Sequence, residues 1–127
     1  MDSCVFCNYQ SGGRGSILFH NEHCVCIEIN DDVLVGSCIV IPKNHVVTMF
    51  DLSPQEWEAT KLLADQAKAY LDVKYQPDGY NVGWNIGEAA GQEVFHAHMH
   101  IIPRHADEPL AGKGIRHWIK QACNKRA

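Results

Sequence analysis

Apolar residues fall in short runs before residue 42 and at helical spacing after residue 53. Ile17-Leu18-Phe19 and Cys24 to Ile29, joined by polar Asn21-Glu22, predict two strands of a hairpin. Ser37-Cys38-Ile39-Val40-Ile41 follows Gly36 and is stopped by Pro42, and a strand this apolar should be covered on both faces, so it is expected at the centre of its sheet. Leu52-Ser53-Pro54-Gln55-Glu56-Trp57 marks a helix start, with Ser53 as N-cap, Pro54 at the first helical position and Glu56 closing a capping box. Thr60, Leu63, Ala64, Ala67, Tyr70 and Leu71 then share one helical face until Pro77-Asp78-Gly79 ends the segment. Tyr80 to Ile86 and Val94 to Ile102, the latter closed by Pro103, predict two further strands around a small-residue loop from Gly87 to Gly91. A turn at Gly12-Gly13-Arg14-Gly15 precedes the first strand, and a polar loop from Arg104 to Gly114 leads to a short helix around Trp118. The expectation is an α+β fold: a five-stranded antiparallel sheet with one long helix across it plus a short C-terminal helix, as one domain over residues 1–127.

Composition narrows the function classes. The chain is 46% hydrophobic and 20% charged, which suits a globular domain rather than a disordered or fibrous one. A net charge of −4 with no evident basic block argues against a nucleic-acid partner. No run approaches the ~20 apolar residues of a membrane span, and Met1-Asp2-Ser3-Cys4 does not open like a secretory signal, so the expected location is the cytoplasm, with no membrane partner. Thiols stay reduced there, and metal binding or packing outranks a disulfide framework for the six cysteines. Cys24 and Cys26 are read as strand packing.

The densest chemistry is His96-Ala97-His98-Met99-His100. On an extended chain the three imidazoles point one way and Ala97, Met99 and Ile101 the other, so a core on one side leaves a row of rings on the opposite side. The row can be read as a solvated face, as metal ligands or as catalytic groups. The outer pair stands roughly 13 Å apart at the backbone, too far for all three to share one ion at ~2.1 Å, so at least one ring is left for other work. A free imidazole beside a glycine-rich turn, Gly87 to Gln92, can attack phosphorus while turn N–H groups cradle phosphate oxygens. Cys4 and Cys7, at Cys-x-x-Cys spacing, are half of a tetrahedral zinc site, a packed reduced pair, or a redox pair lacking the usual βαβ context.

The alternating histidines, with Gly91-Gln92 before them and Pro103-Arg104 after, resemble the histidine triad superfamily of nucleotidyl hydrolases and transferases. The likeness extends to Cys4-Val5-Phe6-Cys7, to Ile41-Pro42-Lys43-Asn44-His45, to the long helix and to Asn85 before the glycine turn. The resemblance implies that His98 attacks the α-phosphorus of a nucleotide and forms a nucleotidyl-histidine that water resolves, with its other ring nitrogen donating to a carbonyl that sets the tautomer. It implies that His100 contacts phosphate and assists the leaving group, and that the N–H groups around Gly91 and Glu93 and the Gln92 side chain hold oxygens. Asn85 would meet ribose or phosphate, and Asn30 is a ribose candidate although its spacing to Gly36 is one residue short. Ser37 stands where many relatives carry a further histidine, and a serine there cannot supply charge near neutral pH. Relatives complete a zinc site with histidines that map to His45 and His96, giving the set Cys4, Cys7, His45 and His96. The implied protein is an enzyme, a homodimer that hydrolyses nucleoside 5′-phosphoramidates or dinucleoside polyphosphates, purine favoured, and releases a nucleoside monophosphate. A nucleotidyltransferase using the same intermediate and a zinc-stabilised nucleotide-binding module with little turnover are the alternatives.

Overall fold

The computed structural model describes residues 3–11 and 15–127; Met1, Asp2 and the Gly12-Gly13-Arg14 part of the expected turn lie outside the described residues. Five strands form one antiparallel sheet in the order β1-β2-β3-β5-β4: β1 is Gly15–His20, β2 Cys24–Ile29, β3 Cys38–Pro42, β4 Gly79–Trp84 and β5 Met99–Arg104. The hairpin of β1 and β2 carries a register irregularity between Ile17 and Phe19. β3 is buried along its whole length, as expected of an apolar strand paired on both sides.

Helix α1, Pro54–Tyr75, begins with the expected capping box: Ser53 Oγ accepts from the Glu56 N–H at 3.0 Å, and Glu56 Oε1 accepts from the Ser53 N–H at 2.8 Å. It ends at Gln76, in the left-handed conformation, one residue before Pro77. Ala59, Leu63, Ala67 and Leu71 bury themselves against Cys24, Cys26, Cys38, Val40, Met99 and Ile101. The cysteines of β2 and β3 are thus core residues, packed as small hydrophobes. On the other face of the sheet Val25, Ile27, Ile39 and Ile41 form a second buried cluster with Phe6 from the N-terminal segment. Among the described residues no helix is long and apolar enough to cross a membrane.

Several boundaries differ from expectation. β5 starts at Met99 rather than Val94 and runs through Pro103 to Arg104. Residues 94–98 precede the ladder because β3 pairs with β5 only from Val40 to Cys38. Beyond Ile101 that side of β5 has no ladder, so a proline without an N–H fits at 103 while β4 continues to pair on the other side. β4 ends at Trp84, leaving Asn85 and Ile86 outside it. The segment around Trp118 forms consecutive turns, and the short C-terminal helix is a 3₁₀ turn at Ala122–Asn124.

Candidate active site and metal centre

Met99 and Ile101 of β5 pack under α1, so alternation places His100 on the opposite face, paired with Ile39 of β3 and Gly83 of β4. His96 and His98 lie just before the strand, 0% and 8% exposed. His98 and His100 stand edge to face, with ring centroids 4.9 Å apart. His98 Nδ1–H donates to the His96 carbonyl at 2.8 Å, so the neutral ring carries its lone pair at Nε2. Burial, then neighbouring His98, holds His100 below the ordinary imidazole pKa. Its Nε2 is buried with no hydrogen-bond partner among the described residues.

His96 points away from this chemistry. Its Nε2–H donates to the Pro42 carbonyl at 2.8 Å, which turns the Nδ1 lone pair toward the N-terminal segment. Nδ1 lies 3.4 Å from Cys4 Sγ and 3.6 Å from Cys7 Sγ, and Cys7 Sγ lies 3.2 Å from His45 Nδ1. All four donor atoms fall within 4.8 Å of one another. Bonds of ~2.3 Å to sulfur and ~2.1 Å to nitrogen at tetrahedral angles would separate such donors by about 3.3–3.8 Å, so the cluster has the dimensions of a closed two-sulfur, two-nitrogen metal site. Burial, then His45 and His98, lowers the His96 pKa although its bond to Pro42 works the other way, and a neutral ring is the form that can ligate. Desolvation and neighbouring Cys4 raise the Cys7 thiol pKa; a cation between the two sulfurs would reverse that direction.

Residues 45–47, which follow β3, tie the Cys/His donor cluster to the segment that leads into β5. His45 faces Cys7, the Val46 carbonyl accepts the Ala97 N–H at 2.7 Å, and the Val47 carbonyl accepts from Gln92 Nε2 at 2.7 Å. Of these, only His45 is marked in the sequence, because the other two act through backbone atoms. Phe6 is likewise legible only in the fold. Lying between the two cysteines, it is 4% exposed and meets the His98 ring edge to face at 4.9 Å between centroids.

The glycine turn requires one change of role. Gln92 is 3% exposed, and its side chain accepts from the Gly87 N–H and donates to the Val47 and Val94 carbonyls. Its amide is fully used in bracing the loop and cannot hold substrate oxygens as expected. The Gly91 N–H also turns inward, to the Glu88 carbonyl, whereas the Glu93 N–H is outside these internal bonds. Gly91 sits at φ 93°, where a side chain is strained, and a Cβ there would stand 4.0 Å from Asn85 Nδ2, which places exposed Asn85 at the turn. Ser37 is buried, and alternation along β3 puts it on the His100 face; exposed Asn30 closes β2 at the same end of the sheet. Glu93 is exposed. Gln92→Ala should cost about 2–3 kcal/mol by leaving buried backbone groups unpaired, read as a lowered melting temperature with the sheet intact by circular dichroism.

A five-stranded antiparallel sheet with one long helix, His100 on the sheet face opposite that helix and His98 just before its strand, lies beside the glycine turn. The chain belongs to the histidine triad family: the HIT domain matches residues 13–107. It is 36% identical over 126 residues to a HIT-like protein of Mycoplasma genitalium, covering 98% of this chain and 86% of the relative. It is 32% identical over 122 residues to an adenylylsulfatase of Arabidopsis thaliana, covering 94% of this chain and 62% of that protein. A solved zinc-bound histidine triad family protein of Mycobacterium smegmatis matches with a TM-score of 0.74 and 30% identity, covering 87% of this chain and 81% of that one.

Proposed function

We propose that the protein is a nucleotidyl hydrolase acting on nucleoside 5′-phosphoramidates or dinucleoside polyphosphates, with purine nucleotides preferred. His98 Nε2 attacks the α-phosphorus, the bond to the leaving group breaks, and that group departs with the electron pair and is protonated. Water then adds to phosphorus and loses a proton, the nitrogen–phosphorus pair returns to Nε2, and a nucleoside monophosphate is released. The observation that carries this reading is the 2.8 Å bond from His98 Nδ1–H to the His96 carbonyl, which prepares the attacking nitrogen before substrate arrives. His100 contacts the phosphoryl oxygens and serves the leaving group, the Glu93 N–H and Asn85 meet the phosphate, and Asn30 and Ser37 line the ribose end.

Zinc bound by Cys4, Cys7, His45 and His96 would supply a structural cross-link, its four protein donors leaving no open position for water or substrate. Ser37 in place of an expected histidine favours one alternative, a zinc-stabilised nucleotide-binding module with little turnover. Intact-mass measurement during reaction with adenosine phosphoramidate separates the readings. The expected result is a transient adenylyl adduct followed by AMP. Bound nucleotide with neither adduct nor product would favour the module, and transfer to an added phosphate or sugar phosphate without hydrolysis would favour a nucleotidyltransferase.

The same reading makes the protein a homodimer. β4 is an edge strand, Val82 on it is 49% exposed, and Trp57 of α1 stacks on Trp84 with centroids 6.3 Å apart. These flank an apolar groove of about 360 Å³ between α1 and β4. Light scattering should give a dimer for the native chain and a monomer for Val82→Lys, with far-UV spectra unchanged; a monomeric native chain would refute the assignment.

A further inference from the structure

The net charge of −4 conceals a partition along the chain. All fifteen acidic residues lie at or before Glu108, whereas Lys113, Arg116, Lys120, Lys125 and Arg126, five of the eleven Lys and Arg, come after it. They are interspersed with Ile115, Trp118 and Ile119, so no contiguous basic block betrays them. Lys61, Lys68, Lys74 and Arg104 each pair with a carboxylate, while none of the five C-terminal cations does so among the described residues.

We propose that Arg116 and Lys120, with His117 beside them, form a subsite for the distal phosphates of an oligophosphate-linked nucleotide whose reacting phosphorus lies at His98. The inference rests on the nucleotidyl-hydrolase reading and selects the oligophosphate branch of its substrates. A cavity of about 330 Å³ is framed by Asn81, Ile115, Arg116, His117 and Lys120. Register ties this cavity to the histidines: Gly83 pairs with His100, Asn81 pairs with Ile102, and these positions share one face of the sheet. Ile115 reaches over that face, its Cδ1 standing 3.5 Å from where a Cβ of residue 83 would be. Asn81 is two residues along β4 from Gly83, roughly 7 Å, so the cavity that Arg116 and Lys120 frame begins one strand repeat from the position paired with His100.

Arg104 cannot serve in their place. Its guanidinium is consumed by the Glu108 carboxylate, Asn81 Oδ1 and the carbonyls of Leu110 and Lys113. What Arg104 does is pin the loop that carries the cationic segment against the sheet. A neighbouring cavity of about 710 Å³ shares Asn81 and Ile115 and adds Ile102, Leu110 and Trp118, an apolar and aromatic lining suited to a second nucleoside.

The test compares native protein, the Arg116→Ala/Lys120→Ala double variant and a Lys61→Ala control in titrations with inorganic tripolyphosphate, and in turnover of diadenosine tetraphosphate against adenosine phosphoramidate. Loss of two charge-assisted contacts should weaken tripolyphosphate binding by about tenfold or more and raise KM for the dinucleotide, with phosphoramidate kinetics and the control unchanged. Added salt should erode the native advantage. Unaltered tripolyphosphate binding, an equal loss on both substrates, or tighter binding of a short oligonucleotide at the same residues would overturn the subsite. If neither substrate is turned over yet tripolyphosphate binding depends on Arg116 and Lys120, the hydrolase reading fails and the anion site stands. If both substrates react and binding ignores the two residues, the reverse holds.

Discussion

His98→Ala should reduce turnover of adenosine phosphoramidate by at least about 1,000-fold and abolish the adenylyl adduct in intact-mass spectra. The size follows from the role: removing the nucleophile deletes the covalent route, whereas removing a phosphate contact only weakens it. His98 Nδ1 is bonded to the chain that precedes it, so the ring is oriented by backbone, and its loss leaves the sheet register from Met99 onward in place. The ring also packs on Phe6 and His100, so some stability is lost with it, and far-UV circular dichroism with nucleotide affinity distinguishes an inert folded variant from an unfolded one. Nucleotide binding should persist, because His100 and the turn from Gly87 to Glu93 remain. Native turnover in His98→Ala would end the assignment of this ring as nucleophile.

The parts of this architecture that are legible in the sequence are those with a short-range signature. The helix start is written in Ser53, Pro54 and Glu56, and the burial of β3 in five adjacent apolar residues, because caps and strand faces depend on near neighbours. The alternation of His96, His98 and His100 is legible in the sequence, but only His100 belongs to the regular ladder, and His96 lies in a bend that turns its ring toward the cysteines. The limits of β5 were not legible: they depend on how far β3 and β4 extend beside it, which is a property of three strands together. Gln92 shows the same limit at the site. Its place in the motif suggests a substrate contact, but carbonyls brought near by folding, Val47 and Val94, claim its amide first. The grouping of Cys4 and Cys7 with His45 and His96 rests on family likeness in the sequence and on donor distances in the fold.

Cys7→Ala should release the metal and lower the melting temperature by on the order of 10 °C, because loss of a structural metal site ranks among the largest single-residue effects. Beyond stability, the donor cluster reaches the chemistry by two short paths. His96 offers Nδ1 to the cluster and its backbone carbonyl to His98 Nδ1–H, so a loosened His96 loosens the bond that sets the tautomer. Phe6, held between the two cysteines, braces the His98 ring from the side. Phe6→Ala should therefore keep the metal, measured as zinc per chain, yet lose about 0.5–1.5 kcal/mol of ring orientation, a decrease of roughly 2–10-fold in kcat with KM little changed. Cys7→Ala should combine both losses and fall further. Chelation of the native protein should reproduce the Cys7→Ala melting temperature, and zinc should restore the native protein but not the variant. A metal-free preparation with native stability and native kcat would show that the four donors pack together without a metal and that the N-terminal segment does not hold the nucleophile.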